Sequence, residues 1–533
     1  NIQDVELVDR LEDKMKLIEL CLTMAYDYKV NYTDVYSQVR CWDTIIYNHL
    51  LTKDIIIPPR EDQVKDTQYE GAYVKDPQLG LNNWIVSFDL NSLYTHLIMQ
   101  YNISPETFVG TEPKGVAVEN FLDEKLNLKW AKDRNLTIAP NGAMFKRDKQ
   151  GFLPELMEKM YTERVVYKKK AIEAKIEYQK TKDPIYSNEI SRCHNIQMAK
   201  KISLNSAYGA IGNQYFRYFD VKQAEAITLG GQLSIRWIER DVNKFMNKLL
   251  GTDNKNYVVA SDTDSIYLKL DTLVEKVCKN KSTKQIVDFL DKAAEEKIQK
   301  VIDSSFENLA KYVNAYQQKM IMKREAIANK GIWVAKKRYM MNVFDEEGVK
   351  YDIPKLKIMG VEAVKSSTPE VCRGKIKDAI RVIMNDSEDA LIKFVNDFKE
   401  VFMTLSPEEV AFPRSCNNVN KYIDSNSIYK KGTPIHVKGA LIYNHNINKH
   451  RLGMKYPLIR DGDKIKFLML KQPNTVKDTV ISFSTKIPYE FELHKYVDYD
   501  TQFQKTFTDP LRFILDSIGW KLEREATLEA FFG

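Results

Sequence analysis

Cysteine is scarce and scattered in this chain. Six stand among 533 residues (Cys21, Cys41, Cys193, Cys278, Cys372 and Cys416), with neither metal-ligand pairs nor the spacing of a disulfide framework. That excludes a zinc-ribbon module and a small disulfide-stapled fold, and fits free thiols in a reducing compartment. No apolar run approaches the ~18 residues of a helical membrane span. Internal repeats and low-complexity tracts are absent, which excludes solenoids and fibrous classes. Charge of one sign is also lacking in excess: 80 basic residues face 73 acidic ones, for a net +7. A polyanionic partner is therefore open only where the positive charges cluster. No secretory signal pattern opens the chain, and its first residue is Asn1, from which we expect a fragment or a processed piece.

What is present describes a soluble protein of more than one domain. Hydrophobic residues make up 44% and charged residues 29%, and single cores stop growing near ~250–300 residues. Residues 1–50 carry an amphipathic helical period through Val5, Leu7, Val8, Leu11, Met15, Leu17, Ile18 and Leu20. Pro58-Pro59-Arg60 and the polar stretch to Tyr69 read as a linker. Trp84 to Leu90 is β-branched and aromatic and predicts a strand. Pro154 opens a helical run over 155–180, Lys182-Asp183-Pro184 breaks it, and a second run over 187–205 predicts an antiparallel pair, each arm ~30 Å long. Further helices are expected over 220–249, 285–320 and 370–404, and a basic strand over 331–343.

Three constellations carry chemistry. In the first, Tyr257 to Ala260 and Ile266 to Leu270 read as two strands joined by Ser261-Asp262-Thr263-Asp264, a hairpin with two carboxylates at its tip. Alone this is either a solvated acidic turn or a cation site, because adjacent acids repel and Mg²⁺ prefers a few carboxylate oxygens. Asp89, ending another predicted strand, would make a third carboxylate if the strands are neighbours, enough for two ions about 3.5–4 Å apart and an in-line phosphoryl transfer. In the second, Arg164 and Lys168 share a helix face, and Gln197, Lys201, Asn205 and Tyr208 form one stripe of the next helix. These are a solvated face or a grip on a triphosphate. The third is Lys336-Lys337-Arg338-Tyr339 on a predicted strand, with Trp333 nearby, either a plain basic strand or a contact to a nucleic-acid backbone.

Together these stretches resemble the family B DNA polymerases, most of all the replicative enzymes of T-even-type bacteriophages, along the whole chain. Asp89-Leu-Asn-Ser-Leu-Tyr94 is similar to the family's DxxSLYPS motif, Lys201-Ile-Ser-Leu-Asn205-Ser-Ala-Tyr208-Gly209 to KxxxNSxYG, Asp262-Thr-Asp264-Ser265 to YGDTDS, and Lys336 to Tyr339 to the KKRY primer motif. Leu356 to Gly360 and Lys365 to Pro369 resemble the start of the phage thumb. The resemblance implies an α+β, multidomain right hand: a palm with an antiparallel sheet, helical fingers and a mixed thumb. Its expected segments are the end of an exonuclease domain and a linker (1–60), palm (61–150), fingers (151–213), palm (214–354), and thumb with a clamp-binding tail (355–533).

The resemblance also implies roles. Asp89 and Asp264 would ligate two Mg²⁺ ions with the Leu90 carbonyl, and Asp262 would tune the geometry. Ser92, Leu93 and Tyr94 would hold the triphosphate by backbone amides, the Tyr94 ring blocking a ribose 2′-hydroxyl. Arg164, Lys168, Lys201 and Asn205 would grip the dNTP phosphates, and Tyr208 and Gly209 would face the nascent base pair. Lys336, Lys337, Arg338, Tyr339, Lys357 and Lys365 would contact primer–template DNA, with Glu325 and Asp345 supporting. Leu528, Phe531 and Phe532 would bind a sliding clamp. The chain departs from the family pattern at Thr95-His96 (usually Pro-Ser), at Ala260-Ser261 (usually Tyr-Gly) and at Lys323 (Asp in the phage relatives). The interval from Arg164 to Lys201 implies stubby fingers. Asn1-Ile-Gln-Asp4 resembles the tail of the third exonuclease motif, so proofreading is expected to be missing from this chain, and a separate exonuclease-bearing chain is left open. The implied setting is phage genome replication in the cytoplasm of a bacterial host, without a membrane. The rival readings are a repair or protein-priming polymerase and an inactive DNA-binding paralogue.

Overall fold

A computed structural model describes residues 2–112, 116–424 and 427–522. Leu528, Phe531 and Phe532 of the expected clamp-binding tail, and Asn1, lie outside the described residues. The chain is 53% helical and 16% strand, and the registered strand pairs are antiparallel, so the fold class is α+β as expected. No helix among the described residues is long and apolar enough to cross a membrane. The chain divides into two compact units: Asn1–Lys75, Val86–Leu268 and Lys276–Glu325 in one, and Asp76–Ile85, Lys269–Glu275 and Ala326–Gly533 in the other.

The strands, in chain order, are β1 (Gly80–Leu90), β2 (Phe108–Thr111), β3 (Leu136–Ile138), β4 (Ala143–Lys146), β5 (Val258–Asp262), β6 (Ser265–Lys269), β7 (Met322–Ala335), β8 (Arg338–Glu346), β9 (Val349–Met359), β10 (Phe412–Ser415), β11 (Lys464–Met469) and β12 (Val480–Phe483). In the first unit β5 and β6 form a hairpin beside the end of β1, and β2-β4-β3 forms a small sheet. Strand β1 changes character along its length. It alternates buried and exposed up to Asn83, and from Ile85 to Phe88 it is buried throughout. The switch falls at Trp84, whose φ of 52° breaks the pleat.

The predicted helical pair spans Phe152–Thr181 and Pro184–Ile211, 30 and 28 residues, so each arm is ~40–45 Å long, more than the ~30 Å expected. The residues read as a breaker both stop and start helix. Lys182 takes a left-handed conformation at the first C-terminus, the Asp183 carboxylate accepts from the Ile185 amide at 2.9 Å, and Pro184 occupies the first turn. A third long helix, Val221–Leu250, is capped by Asp220, which accepts from the Lys222 and Gln223 amides, and ends on Gly251 at φ 62°. The helical run expected over 285–320 stops earlier, at Tyr312.

The second unit carries the strand order β7-β8-β9, with a further sheet β10-β11-β12. The basic strand expected over 331–343 is two strands. Ala335 pairs with Arg338, so Lys336 and Lys337 form the turn between β7 and β8, with Lys337 at φ 59°. The core of this unit gathers Phe398, Phe402, Phe503 and Phe507, with ring centroids 4.7 Å apart for Phe398 and Phe507 and 5.1 Å for Phe402 and Phe503. Against β12 packs the helix Ile435–Lys449, where Gly439 permits close approach: a Cβ there would lie 2.8 Å from the Ser482 amide nitrogen. Gly439→Ala is expected to destabilise this unit by about 2 kcal/mol through overpacking. Urea denaturation checks this, and Gly453→Ala, with open space around its Cβ, serves as the control.

Candidate active site

Strand β5 and strand β6 pair with Asp262 opposite Ser265, leaving Thr263 and Asp264 as a two-residue turn. Thr263 takes φ 58°, and the Asp264 amide donates back to the Asp262 carbonyl at 2.6 Å. The turn is held from outside by Tyr73 and Lys75: the Thr263 amide donates to the Tyr73 carbonyl (3.0 Å) and the Lys75 amide to the Ser261 carbonyl (3.2 Å). Lys75 in turn is anchored by Glu239 and by the Val258 carbonyl at 2.7 Å.

The end of β1 is tied to this turn. The Leu90 amide donates to the Asp264 carbonyl at 2.8 Å, and the next amide, Asn91, donates to the Ile321 carbonyl at 2.9 Å. Asp89 is thus one residue from a backbone bond to the hairpin tip. Asp89, Asp262 and Asp264 are all half-buried. On the other side of β1, the Ser87 hydroxyl donates to the Glu325 carboxylate at 3.1 Å.

The chain then reverses into the helix Leu93–Tyr101 through Ser92, at φ 45° and ψ 56°, with no side-chain cap on the helix start. The first helical bond runs from the His96 amide to the Ser92 carbonyl (3.1 Å). Helix starts leave their first amides without intrahelical acceptors and are ready-made anion sites. Arg164 reaches this turn, donating through Nη1 to the Ser92 hydroxyl at 3.4 Å, while its buried Nε has no acceptor. Tyr94 is half-buried with its ring 4.8 Å from that of Tyr208, whose hydroxyl donates to Tyr69 at 3.2 Å. Burial, the Asp264 carboxylate and Tyr69 raise the Tyr94 phenol above its usual range, and burial and the bond to Tyr69 raise that of Tyr208.

Lys168, Lys201, Asn205 and Gly209 are exposed along the two long helices, and the two lysines and the asparagine make no hydrogen bond or ion pair among the described residues. A Cβ on Gly209 would meet nothing. Their neighbour Lys200 does the holding instead: it is buried and bonds Glu163 at 2.6 Å and Asp27 at 3.2 Å. Burial pulls its pKa down, but Glu163 and Asp27 more than offset this, and it stays above the ordinary lysine value.

A model of the family described as DNA polymerase family B matches residues 31–518. The chain belongs to the family B DNA polymerases. It is 31% identical to the DNA-directed DNA polymerase of Enterobacteria phage T4 and 33% identical to that of Escherichia phage RB69, with 100% of this chain aligned in both cases. It spans 64% of the length of each. DNA polymerase 1 of Pyrococcus abyssi is 26% identical over 85% of the chain and 48% of its own length.

The residues matching the family B primer motif lie in the second unit. Lys336 pairs with Asp76 at 3.0 Å, and Arg338 pairs with Glu362 at 2.6 Å and covers the Phe513 ring at 4.5 Å. Lys365 also pairs with Glu362, at 2.9 Å. Tyr339 stacks on Trp333, centroids 5.5 Å apart. Lys357 lies on β9 opposite Met341, and the buried Asp345 accepts from the Gly348 amide at 2.9 Å in the β8–β9 turn.

Among the described residues no group of three or more His, Cys, Asp or Glu side chains could hold a metal ion. A smaller all-oxygen set stands at the joint: Asp89, Asp264 and the backbone of Leu90. Mg²⁺ is commonly held by one or two carboxylates, keeping the rest of its shell for water and phosphates, so these residues fit it. Three contributors were missed from sequence. Tyr69 and the segment around Tyr73 and Lys75 lay in or beside a stretch read as a linker, where only an isolated aromatic could have marked them. Lys200 was overlooked beside Lys201.

His96 yields a pH test. Burial lowers its pKa below 6.5, only partly opposed by its bond to the Ser92 carbonyl (3.0 Å), and the charges of Lys319 and Arg164 add to the lowering. The unfolded chain then binds the proton first, so the stability contributed by neutral His96 is complete above pH 6.5 and falls as pH drops below it. Comparing urea midpoints at pH 7.5 and 5.5, His96→Gln should show a smaller drop than wild type. The remaining drop belongs to His49 and His436, also lowered by burial.

Proposed function

We propose that this chain is a DNA-templated DNA polymerase that extends a primer 3′ end with dNTPs, in phage genome replication. The observation that carries this reading is the bond from the Leu90 amide to the Asp264 carbonyl, which brings the ends of two distant acid-bearing strands together beside an uncapped helix start. The reaction joins the primer 3′-oxygen to the α-phosphorus of the dNTP. The bond to pyrophosphate breaks, and the hydroxyl proton leaves to solvent. Asp89 and Asp264, with the Leu90 carbonyl, would hold Mg²⁺, and Asp262 would support them. The chemistry that two bound ions would supply there is a lowered pKa for the attacking hydroxyl and neutralisation of the leaving pyrophosphate.

The remaining roles belong to the protein itself. The amides of Ser92, Leu93 and Tyr94 present donors to the triphosphate, and the helix start favours its negative charge. Arg164, with a buried nitrogen lacking an acceptor, and the uncommitted Lys168, Lys201 and Asn205 supply further donors to phosphate oxygens. Tyr94 and Tyr208 form a packed aromatic pair where sugar and base would rest. Lys336, Lys337, Arg338, Tyr339, Lys357 and Lys365 would contact primer–template DNA. The chain would be divided into palm, fingers and thumb at the five expected boundaries, and its tail would bind a sliding clamp.

Primer extension on the purified chain tests this. Asp89→Asn and Asp264→Asn should each reduce Mg²⁺-dependent extension by about 10³-fold, the loss of several kcal/mol of transition-state stabilisation, while retaining primer–template binding. Undiminished extension by both variants would sink the reading. In the same assay no shortening of a labelled primer is expected. Deletion of residues 527–533 should lower processivity with a clamp present and leave distributive synthesis intact.

A further inference from the structure

The first unit holds a cavity of about 540 Å³, away from the acid-bearing strands. It lies between the C-terminal half of the helix Val221–Leu250 and the helix Gln299–Tyr312. Gly231 of the first helix packs against Leu93 and Tyr94, whereas the cavity residues Lys244 and Lys248 are ~20–25 Å further along the same helix. A volume of this size falls within the range of small-ligand sites.

Its chemistry is asymmetric. Arg240, Lys244 and Lys248 recur every fourth residue on one wall, and Lys300, Ser304 and Asn308 on the other. Arg240 is committed: it pairs with Asp241 at 2.9 Å and Glu124 at 3.2 Å and covers the Trp237 ring at 3.9 Å. Asp241 is committed too, accepting from the Ser305 hydroxyl. Lys244, Lys248 and Lys300 are exposed and make no hydrogen bond or ion pair among the described residues. Below them Trp237 stacks on Tyr312, centroids 5.8 Å apart. Trp237 is 2% exposed, and its indole N–H is a buried donor with no acceptor. A buried donor left unsatisfied costs about 1–3 kcal/mol, and its presence beside three uncommitted cations points to an acceptor supplied from outside.

We propose that this cavity is a second, non-catalytic nucleotide site. The phosphate of a nucleoside phosphate would lie on Lys244, Lys248 and Lys300, and its remaining acceptors would meet the Trp237 N–H, Ser304 and Asn308, with Phe245 and Tyr312 as the apolar side. Phosphate suits this wall better than a carboxylate does, because the free cations are lysine point charges and the one guanidinium fork is occupied. The nucleotide arrives either free or as part of a single strand, and the two share this chemistry.

The test is equilibrium binding of dTMP and, separately, of (dT)8 to the full chain, in wild type and in the triple variant Lys244→Glu, Lys248→Glu, Lys300→Glu. One binding site present in wild type should be lost or weakened by about tenfold or more in the variant, with stronger salt dependence in wild type. The extension rate at saturating dNTP should be unchanged. Binding of dTMP identifies a free-nucleotide site, and binding of (dT)8 alone identifies a strand anchor. Trp237→Phe, which keeps a ring and removes the N–H, should weaken the same site. If wild type and the triple variant bind both probes with equal stoichiometry and affinity, the inference is overturned. The same holds if poly-glutamate competes as well as the nucleotide. Loss of the site in a chain that never extends primers would uphold this inference while defeating the polymerase reading.

Discussion

The joint between Leu90 and Asp264 is a backbone hydrogen bond of 2.8 Å, and the candidate active site depends on it. Carboxylates cannot gather themselves, because in a partly buried setting their repulsion is little screened. What can hold them is a ladder of main-chain bonds that must be satisfied anyway once the strands are buried. The Leu90 and Asn91 amides on one side, and the Tyr73 and Ser261 carbonyls on the other, form that ladder around a two-residue turn. The same arrangement explains the left-handed conformations of Ser92 and Thr263. Each is unfavourable for a residue bearing a Cβ, and each reverses the chain close to a carboxylate: Thr263 lies between Asp262 and Asp264, and Ser92 lies three residues after Asp89.

The departures from the family pattern acquire a structural account on this frame. Thr95 is buried and donates to the Leu204 carbonyl at 3.3 Å. His96 sets its ring edge-on to Tyr161, 4.7 Å away, and meets the Ser92 carbonyl through Nδ1. The two residues therefore stitch the helix Leu93–Tyr101 to the two long helices, one each. Ser261 contributes its carbonyl to Lys75, while its hydroxyl is buried without a partner.

Local pattern was enough to read much of this arrangement. The alternation in Ile266, Leu268 and Leu270 and the turn chemistry of Asp262 to Asp264 predict the hairpin, because side-chain period and turn propensity are local properties. Caps such as Asp220 are equally local. What escaped is pairing. Nothing in residues 84–90 or 257–270 says that these strands are neighbours, and only the resemblance suggested it. The turn at Lys336 and Lys337 escaped for a different reason: a lysine at positive φ lacks the Asn-Gly signature of two-residue hairpins and is held by context, with the Gly360 backbone packed so closely on the Lys337 carbonyl that no Cβ would fit. Tyr69, in a polar stretch, becomes visible only through the ring it meets 139 residues away.

Basic composition and available positive charge are different things in this chain. Arg338 and Lys365, both proposed to contact DNA, share one carboxylate, Glu362. Such partly exposed pairs contribute about 0–1 kcal/mol and are screened by salt, so exchanging Glu362 for a phosphate would cost little and gain little by charge alone. At such positions the benefit comes from geometry, with Tyr339 and Trp333 stacked beside them. Lys168, Lys201, Lys244, Lys248 and Lys300 have no partner to give up among the described residues. An anion reaching them exchanges only water, so charge at these lysines is available at both the long helices and the cavity of the first unit.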